Sequence, residues 1–529
     1  MQLLLAVIAF PYALAFYVLY SFISNFFTSR RNEAKGRELK CEDPPIQKNR
    51  YPFGIDNLLR ALAADRAKQY PVDMIKRAED VGSVTYKFSI LGAASFQTAD
   101  PKNIQAMLAT QFPDFDLGPQ RRGNFFPLLG NGIFTQDGEA WQHSRAMIRR
   151  QFTRDQVSDL DLEETHVQNM MTLLDPLIQK DGWIEHVDIL PYFFRLTIDS
   201  ATQFLFGESI NSQIRVVPGY ESSKAVRSDN QVFASELAFA TAFDDAQGAI
   251  ATRARFMDSW WLYDTQQFRN ACKTTHKFID QFVKIALSKD PDELQKNSDN
   301  KEKYVFLDAL ATSTRDPLEL RSQLLHVLLA GRDTTASHIG WIFFSLARDP
   351  TRYKKLRDVI LKEFGTYTNP TEITFAKLKS CQYLQYVNNE ALRLYPVVPV
   401  NMRYANKDTT LPRGGGKDGN SPIFIPKGST VEYSVHVMHH RKDIWGDDAE
   451  EFKPERWEGR KVGWEYLPFN GGPRICVGQQ FALTEASYVI VRLMQRFDRL
   501  ETIDSNSTVE HNLTIVNGPT GVNVRLHTA

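Results

Sequence analysis

Residues 469–478, FNGGPRICVG, dictate the backbone on both sides of one cysteine and so restrict the folds open to this chain. Gly471, Gly472 and Pro473 specify a tight loop, because glycine reaches positive φ without strain and proline has its φ fixed. From Val477 onward, Ala482, Glu485 with Ala486, Val489 and Leu493 recur at helical spacing. Cys476 therefore sits where a loop enters a helix, facing unbonded amides and the positive end of the dipole. That setting lowers a thiol pKa and favours the thiolate, which suits an iron ligand or a nucleophile. A nucleophile needs a base beside it, and no histidine lies in the flanking stretch, although one distant in sequence leaves that reading open. The other three cysteines, Cys41, Cys272 and Cys381, are widely spaced and form no C-x-x-C pair. They read as inert thiols in a reducing compartment, not as a disulfide framework or a zinc site.

The 63 basic and 63 acidic side chains cancel over 529 residues, so no global field draws nucleic acid. The 35 phenylalanines imply a bulky core or a large apolar cavity. The first charged residue is Arg30, and the apolar stretch before it, Leu3 to Phe27, is long enough to span a bilayer. Arg30, Arg31, Lys35, Arg37 and Lys40 follow, which places the rest of the chain in the cytosol. A cleaved signal peptide, the alternative, would have a basic start and a shorter apolar run. The expected organisation is an N-terminal membrane anchor over 1–29, a basic, proline-rich and stiff linker over 30–54, and one large domain over 55–529. N-x-T sequons stand at Asn506 and Asn512 and matter only in a secretory lumen.

Residues 83–99 are rich in β-branched and aromatic side chains and read as a hairpin. Helical patterns cover 155–180, 319–348, 376–394 and 478–497, and strand character returns over 409–437 and at the C-terminus. The expected class is mainly α with small β-sheets. GGGKDG at 414–419 matches the dinucleotide pattern G-x-G-x-x-G, but strands follow it instead of a helix, so it reads as a hairpin turn.

The loop Phe469, Gly472, Arg474, Cys476 and Gly478 resembles the haem-binding signature F-x-x-G-x-R-x-C-x-G of the cytochrome P450 family of haem-thiolate enzymes. Three further motifs stand in the family's order. Glu390 and Arg393 in EALR are similar to its E-x-x-R pair, and Arg456 in PERW would be the third member. Trp457 stands where the family usually has phenylalanine. A carboxylate between two guanidiniums can saturate its lone pairs even when buried, so these three read as structural. AGRDTTAS at 330–337 resembles the distal helix motif, in which Thr334 is implied to hydrogen-bond dioxygen at the haem and Asp333 to relay protons. Glycine, aspartate and threonine there weaken the helix locally and would open a groove. The other reading, back-bonding threonines on a surface helix, fits poorly with the flanking LLHVLLAG, which is apolar nearly all round. Trp141 and Arg145 in WQHSR, with Arg403, resemble the family's propionate partners. His439 and His440 are adjacent, cannot face one metal together, and read as ordinary polar positions.

The resemblance spans roughly residues 45 to 525 and implies the P450 fold, a haem b cofactor with an axial Cys476 thiolate, and electrons from NADPH through NADPH–cytochrome P450 reductase. Arg149 and Arg150 could meet that partner's acidic surface; simple solvated charge is the other reading. Anchor and linker are similar to those of the microsomal class, which implies a single-pass protein of the endoplasmic reticulum membrane with its catalytic domain cytosolic. Phrases such as GIFTQDGEAWQHSRAMIRRQF and VEYSVHVMHHRKDIWGDDAEEFKPERW resemble the fungal alkane-inducible hydroxylases. Insertion of one oxygen atom from O2 at the terminal carbon of an n-alkane or fatty acid is implied. Oxidation of the alkyl or acyl tail of a secondary metabolite is the alternative, and a non-oxygenating haem-thiolate isomerase or an electron-transfer or gas-sensing haem protein are rivals; the Asp333–Thr334 pair argues against the isomerase. The family's layout points to a substrate pocket lined by the loop after Leu117, Phe239 and Phe243, Val397 and Val398, and Ile515. His326, Ala330 and Thr334 form one helical stripe, so His326 is expected to border the substrate channel.

Overall fold

Asp316 accepts the amide of Leu318 at 2.9 Å and Pro317 fills the first turn, so the chain enters a helix running from Pro317 to Ala347. Its sequence is apolar almost all round, and accordingly it is buried on nearly every side, packed against helices Leu190–Phe206, Gln266–Ser288, Gln382–Leu394 and Gln479–Arg496. This computed structural model describes residues 26–152, 160–216, 230–290, 294, 304–504 and 508–529, with the side chains of 230–237 left aside. The central helix divides the apolar core. On one side Phe193, Trp341, Phe343, Leu384 and Val489 share a cluster; on the other, Leu128, Phe204, Phe239, Phe278 and Leu324 do.

Strand content is confined to small sheets, as the sequence predicts. Thr85–Ile90 pairs antiparallel with Ala93–Thr98, turning through Leu91 and Gly92, both at positive φ. Ala93–Thr98 then pairs in parallel with Thr430–Ser434, which carries Val400–Ala405 and the two-residue strand Phe115–Asp116 beyond it. Phe88, Phe115, Val431 and Met438 form the core of this sheet. GGGKDG turns strand Thr409–Gly415 back onto Ser421–Ile425, with Gly414, Gly416 and Gly419 at positive φ, so it is a hairpin. Near the C-terminus His511–Leu513 pairs with Asn517–Pro519, and Asn523–Thr528 joins a three-stranded sheet.

Several boundaries differ from the sequence pattern. The helix expected over 376–394 divides into Phe375–Ser380 and Gln382–Leu394, because Cys381 between them is extended (ψ 90°). The central helix continues unbroken through Ala330–Ser337, so glycine, aspartate and threonine do not loosen it as expected; packing on all sides overrides their low propensity. The proline-rich segment 41–54 lies on the body. Its Glu42 amide donates to Pro422 at 2.9 Å, and the Lys87 amide to Pro45 at 2.8 Å. Residues 1–25, most of the expected anchor, lie outside the described residues, as does Asn506. Among the described residues no helix is long and apolar enough to cross a membrane. Asn512 lies in a strand and accepts a hydrogen bond from Lys68 at 3.0 Å.

Candidate functional site

The cysteine loop closes on itself, with the Cys476 amide donating to Phe469 O at 3.0 Å. Asn470, at φ 64°, receives Tyr433 Oη at 3.1 Å and donates to Arg474 O at 3.3 Å. Gly472 has φ +66°, and a Cβ there would lie 1.8 Å from the carbonyl oxygen of Leu108, so this position admits glycine alone. Gly478 caps the helix Gln479–Arg496, which places Cys476 before the first turn. The Cys476 residue keeps exposed surface. Burial pushes its thiol pKa up, against the Gly478 amide and the Arg145 charge, which pull it down. The expectation of a lowered pKa is therefore corrected: desolvation outweighs the helix terminus in the protein alone, and a directly bound cation would favour the thiolate. Cys272 and Cys381 are buried, as inert thiols should be, with the Cys272 thiol pushed by burial to about 12.

Beside the loop the fold gathers guanidinium groups. Arg474 lies 4.3 Å over the Trp141 ring and donates to Asp137 Oδ1 at 2.7 Å and to the carbonyls of Gln136 and Ile133. Arg145, 5.8 Å from the same ring, donates to Ile475 O at 2.7 Å. Arg403 is 2% exposed, and its Nη1 reaches only Met402 O. Arg121, on helix Gly118–Leu129, bonds Asn401 Oδ1. Burial, with the Arg403 charge second, depresses Arg121 to about 10. Arg474 is likewise at about 10 through burial, Asp137 partly offsetting it and Arg403 and Arg121 adding to it. The Nε atoms of Arg403 and Arg474 are buried without an acceptor, and neither Arg121 nor Arg403 has a carboxylate within ion-pair distance among the described residues. Sequence reasoning missed Arg121 and Asp137: both lie in short polar runs with no periodic signal, and only the folded loops bring them to Arg474. A thiol with accessible surface and a buried excess of cations with orphaned donors fit an iron macrocycle carrying carboxylates.

The remaining predicted residues are distributed over several elements. Glu390 takes Arg393 through two contacts of 2.9 Å, Arg456 Nε at 3.0 Å, the Lys453 amide at 2.9 Å and the Trp457 indole N–H at 3.0 Å. Trp457 thus adds a donor that phenylalanine could not supply. His439 is not an ordinary polar position: fully buried, its Nδ1 faces Arg393 O at 3.1 Å and its Nε2 accepts the Leu467 amide at 3.1 Å. It ties the Glu390 helix to the chain entering the cysteine loop. His440 bonds Glu450 and Leu394 O.

On the central helix, Ala330, Gly331 and Thr334 retain accessible surface while their neighbours are buried. Thr334 Oγ1 donates to Ala330 O at 2.7 Å. Asp333 is buried, and its pKa is raised by burial, against the charge of Arg332 3.4 Å away. Arg332 also pairs with Asp244. These three line a cavity of about 690 Å³ that reaches Val516 on the C-terminal hairpin. Val397 packs with Leu392 and Val516, Ile515 is half-buried, and Val398 is 37% exposed. Phe239 and Phe243 stack on each other, with Phe239 4.2 Å from Phe278, inside helical core. His326 is fully buried, its ring 5.3 Å from Phe134 and its Nδ1 accepting the Phe134 amide at 3.3 Å. Burial holds it neutral, with a pKa of about 3.

A family model described as cytochrome P450 matches residues 57–525. The chain is 69% identical over 519 residues to cytochrome P450 monooxygenase g430 of a Fusarium species, covering 98% of this chain and 90% of that relative. It is 44% identical over 497 residues to cytochrome P450 monooxygenase alt2 of Alternaria solani (92% and 91% covered). With cytochrome P450 52A6 of Candida tropicalis it shares 44% over 516 residues (95% and 94%). The chain belongs to the cytochrome P450 family of haem-thiolate oxidoreductases.

Proposed function

We propose that this monooxygenase hydroxylates the terminal carbon of n-alkanes or fatty acids. The observation that carries the site assignment is the pairing of an accessible Cys476 with a buried surplus of arginine. In this reading the Cys476 sulfur would hold the iron of haem b, and Trp141, Arg145, Arg403, Arg474 and Arg121 would hold its carboxylates. Phe469, Gly472 and Gly478 shape the loop, and Glu390, Arg393 and Arg456 brace it from behind. When bound, the haem supplies dioxygen activation, to which a thiolate ligand contributes electron density.

The chain's own residues do the rest. Thr334 presents a hydroxyl on the accessible stripe of the central helix, already oriented by Ala330 O. Asp333, whose carboxyl burial pushes above the ordinary carboxylate range against the Arg332 charge, lies between that stripe and the side cavity. Proton delivery would run from the side cavity by way of the Asp333 carboxyl toward the accessible stripe that carries Thr334. Apolar side chains from Val397, Ile515 and Val516 suit an alkyl chain and keep water from it.

As a family member the chain draws electrons from a redox partner and acts on a hydrophobic substrate with O2. The partner in this proposal is NADPH–cytochrome P450 reductase, met by the exposed Arg149 and Arg150. Residues 1–29 would anchor the protein in the endoplasmic reticulum membrane, with residues 55–529 as the cytosolic catalytic domain. Similarity to the 52A series supports the alkane or fatty-acid substrate. The higher identity to a monooxygenase outside that series favours a second reading, oxidation of the alkyl tail of a secondary metabolite. Reconstituted enzyme given hexadecane, hexadecanoate and lipopeptide tails separates the two. Substrate-dependent NADPH consumption with a terminal alcohol product is expected from the first two; product from the third alone transfers the function to the second reading.

A further inference from the structure

The short helix Val435–His439, the residue that follows it and the strand His511–Leu513 bring three imidazoles together. The His436 ring lies 4.1 Å from that of His440 and 5.6 Å from that of His511. His436 is 1% exposed, and neither of its nitrogens has a hydrogen-bond partner among the described residues. His511 is equally enclosed and bonds Asn517 Oδ1 through Nδ1 at 3.0 Å.

Charge around the three rings is unevenly placed. Glu450 stands 2.9 Å from His440 Nδ1, so a proton on that ring meets a carboxylate. Arg393 and Lys442 act on the same Glu450, and Arg393 also faces His439. Tyr395 lies 6.2 Å from the His511 ring, and Lys68 sends its ammonium to Asn512. Neither His436 nor His511 feels a carboxylate. A proton on either would be a buried cation without a counter-charge, beside two other imidazoles. Burial holds both rings neutral, His436 well below the ordinary 6.5 and His511 at about 4, with His440 pushing the same way.

The cluster bears on the hairpin formed by His511–Leu513 and Asn517–Pro519. Asn517, which holds His511, also accepts the Trp341 indole N–H at 3.0 Å and donates its amide to Val397 O at 2.9 Å. Asn512, Thr514, Val516 and Gly518 of the same segment line the cavity beside Asp333.

We propose that His436, His440 and His511 form an acid-sensitive latch, whose protonation releases the hairpin 511–519 and so opens one wall of that cavity. With the hairpin lifted, His436 and His511 meet water and take protons that the closed form refuses. The closed form therefore loses stability as pH falls below about 6.5, and goes on losing it until His511 protonates in place near 4. Each ring that titrates only in the open form shifts the equilibrium by up to about tenfold per pH unit.

Hydrogen exchange of the full-length holoenzyme, read by mass spectrometry and corrected for the intrinsic rate, tests the latch. Protection within 509–520 should fall by about tenfold or more between about pH 6.5 and 5.5, while Pro317–Ala347 keeps its protection. His436→Phe keeps an aromatic ring without a basic nitrogen, and His511→Gln can still bond Asn517. Each should flatten the pH dependence, with an unchanged carbon-monoxide difference spectrum showing that the variant is folded. Protection that does not change with pH overturns the proposal. So does a pH dependence equal to the parent's in both variants, or a loss that spreads over the central helix at the same pH.

Discussion

Around Glu390, two arginines, a backbone amide and an indole N–H converge on one fully buried carboxylate. Around Arg403, only Arg474 of three arginines pairs with a carboxylate, that of Asp137, and two Nε atoms are left without acceptors. Both clusters are buried, and both involve residues of the cysteine side. The first closes within the chain, so its charges stabilise the fold. The second raises the energy of the polypeptide by like-charge repulsion and desolvation, a cost that an anionic cofactor would offset. Charge balance thus distinguishes a brace from a binding site where burial alone does not.

Substitutions should break the two clusters in opposite directions. Glu390→Gln strands Arg393 and Arg456 and should cost roughly 3–5 kcal/mol, read as a lower urea midpoint of the haem-loaded protein. Trp457→Phe removes one of Glu390's donors and should cost about 1–3 kcal/mol in the same assay, with the haem spectrum unchanged. Arg403→Met should leave the haem-free chain as stable as before or more so, since it removes a buried cation. It should nevertheless speed haem loss to an apoglobin acceptor by about tenfold, equivalent to about 1.4 kcal/mol. Equal destabilisation by Arg403→Met and Glu390→Gln in haem-free protein would erase the contrast.

A smaller, pH-dependent effect comes from Glu455 at the edge of the brace. Burial alone would raise its pKa, but Lys355, its own backbone, Tyr383 and Arg352 together hold it at about 2, against an ordinary 4.5. A depressed carboxyl pKa contributes stability above about 4.5 that fades as pH falls toward 2. The urea midpoint should drop across that window by more in the parent than in Glu455→Gln, and by little in absolute terms because the group is partly exposed.

Much of the brace and the cysteine loop was legible because each motif is contiguous, and its spacing matches a helix turn or a tight loop. Gly472 could be assigned from its neighbours alone, and its clash with Leu108 O agrees. What escaped depends on residues far apart in sequence. Arg121 reaches Arg403 only through the packing of Gly118–Leu129 on the strand Val400–Ala405, and His439 reaches Leu467 across 28 positions. Trp457 was legible as a departure, but its donor role was not, because the acceptor lies 67 positions away. The raised thiol pKa of Cys476 was missed because helix-terminus reasoning sees the local dipole and not the desolvation around it. The unbroken helix at Gly331–Thr334 likewise reflects packing that local propensity does not report.

The central claim is that Cys476, and no other side chain, ligates the haem iron. A reduced carbon-monoxide difference spectrum of the parent and of Cys476→His tests it most directly. The account predicts the red-shifted Soret band of a thiolate-ligated haem in the parent, moved to the position of a histidine-ligated haem in the variant. A parent band at the histidine position, or a thiolate band that survives the substitution, would contradict it.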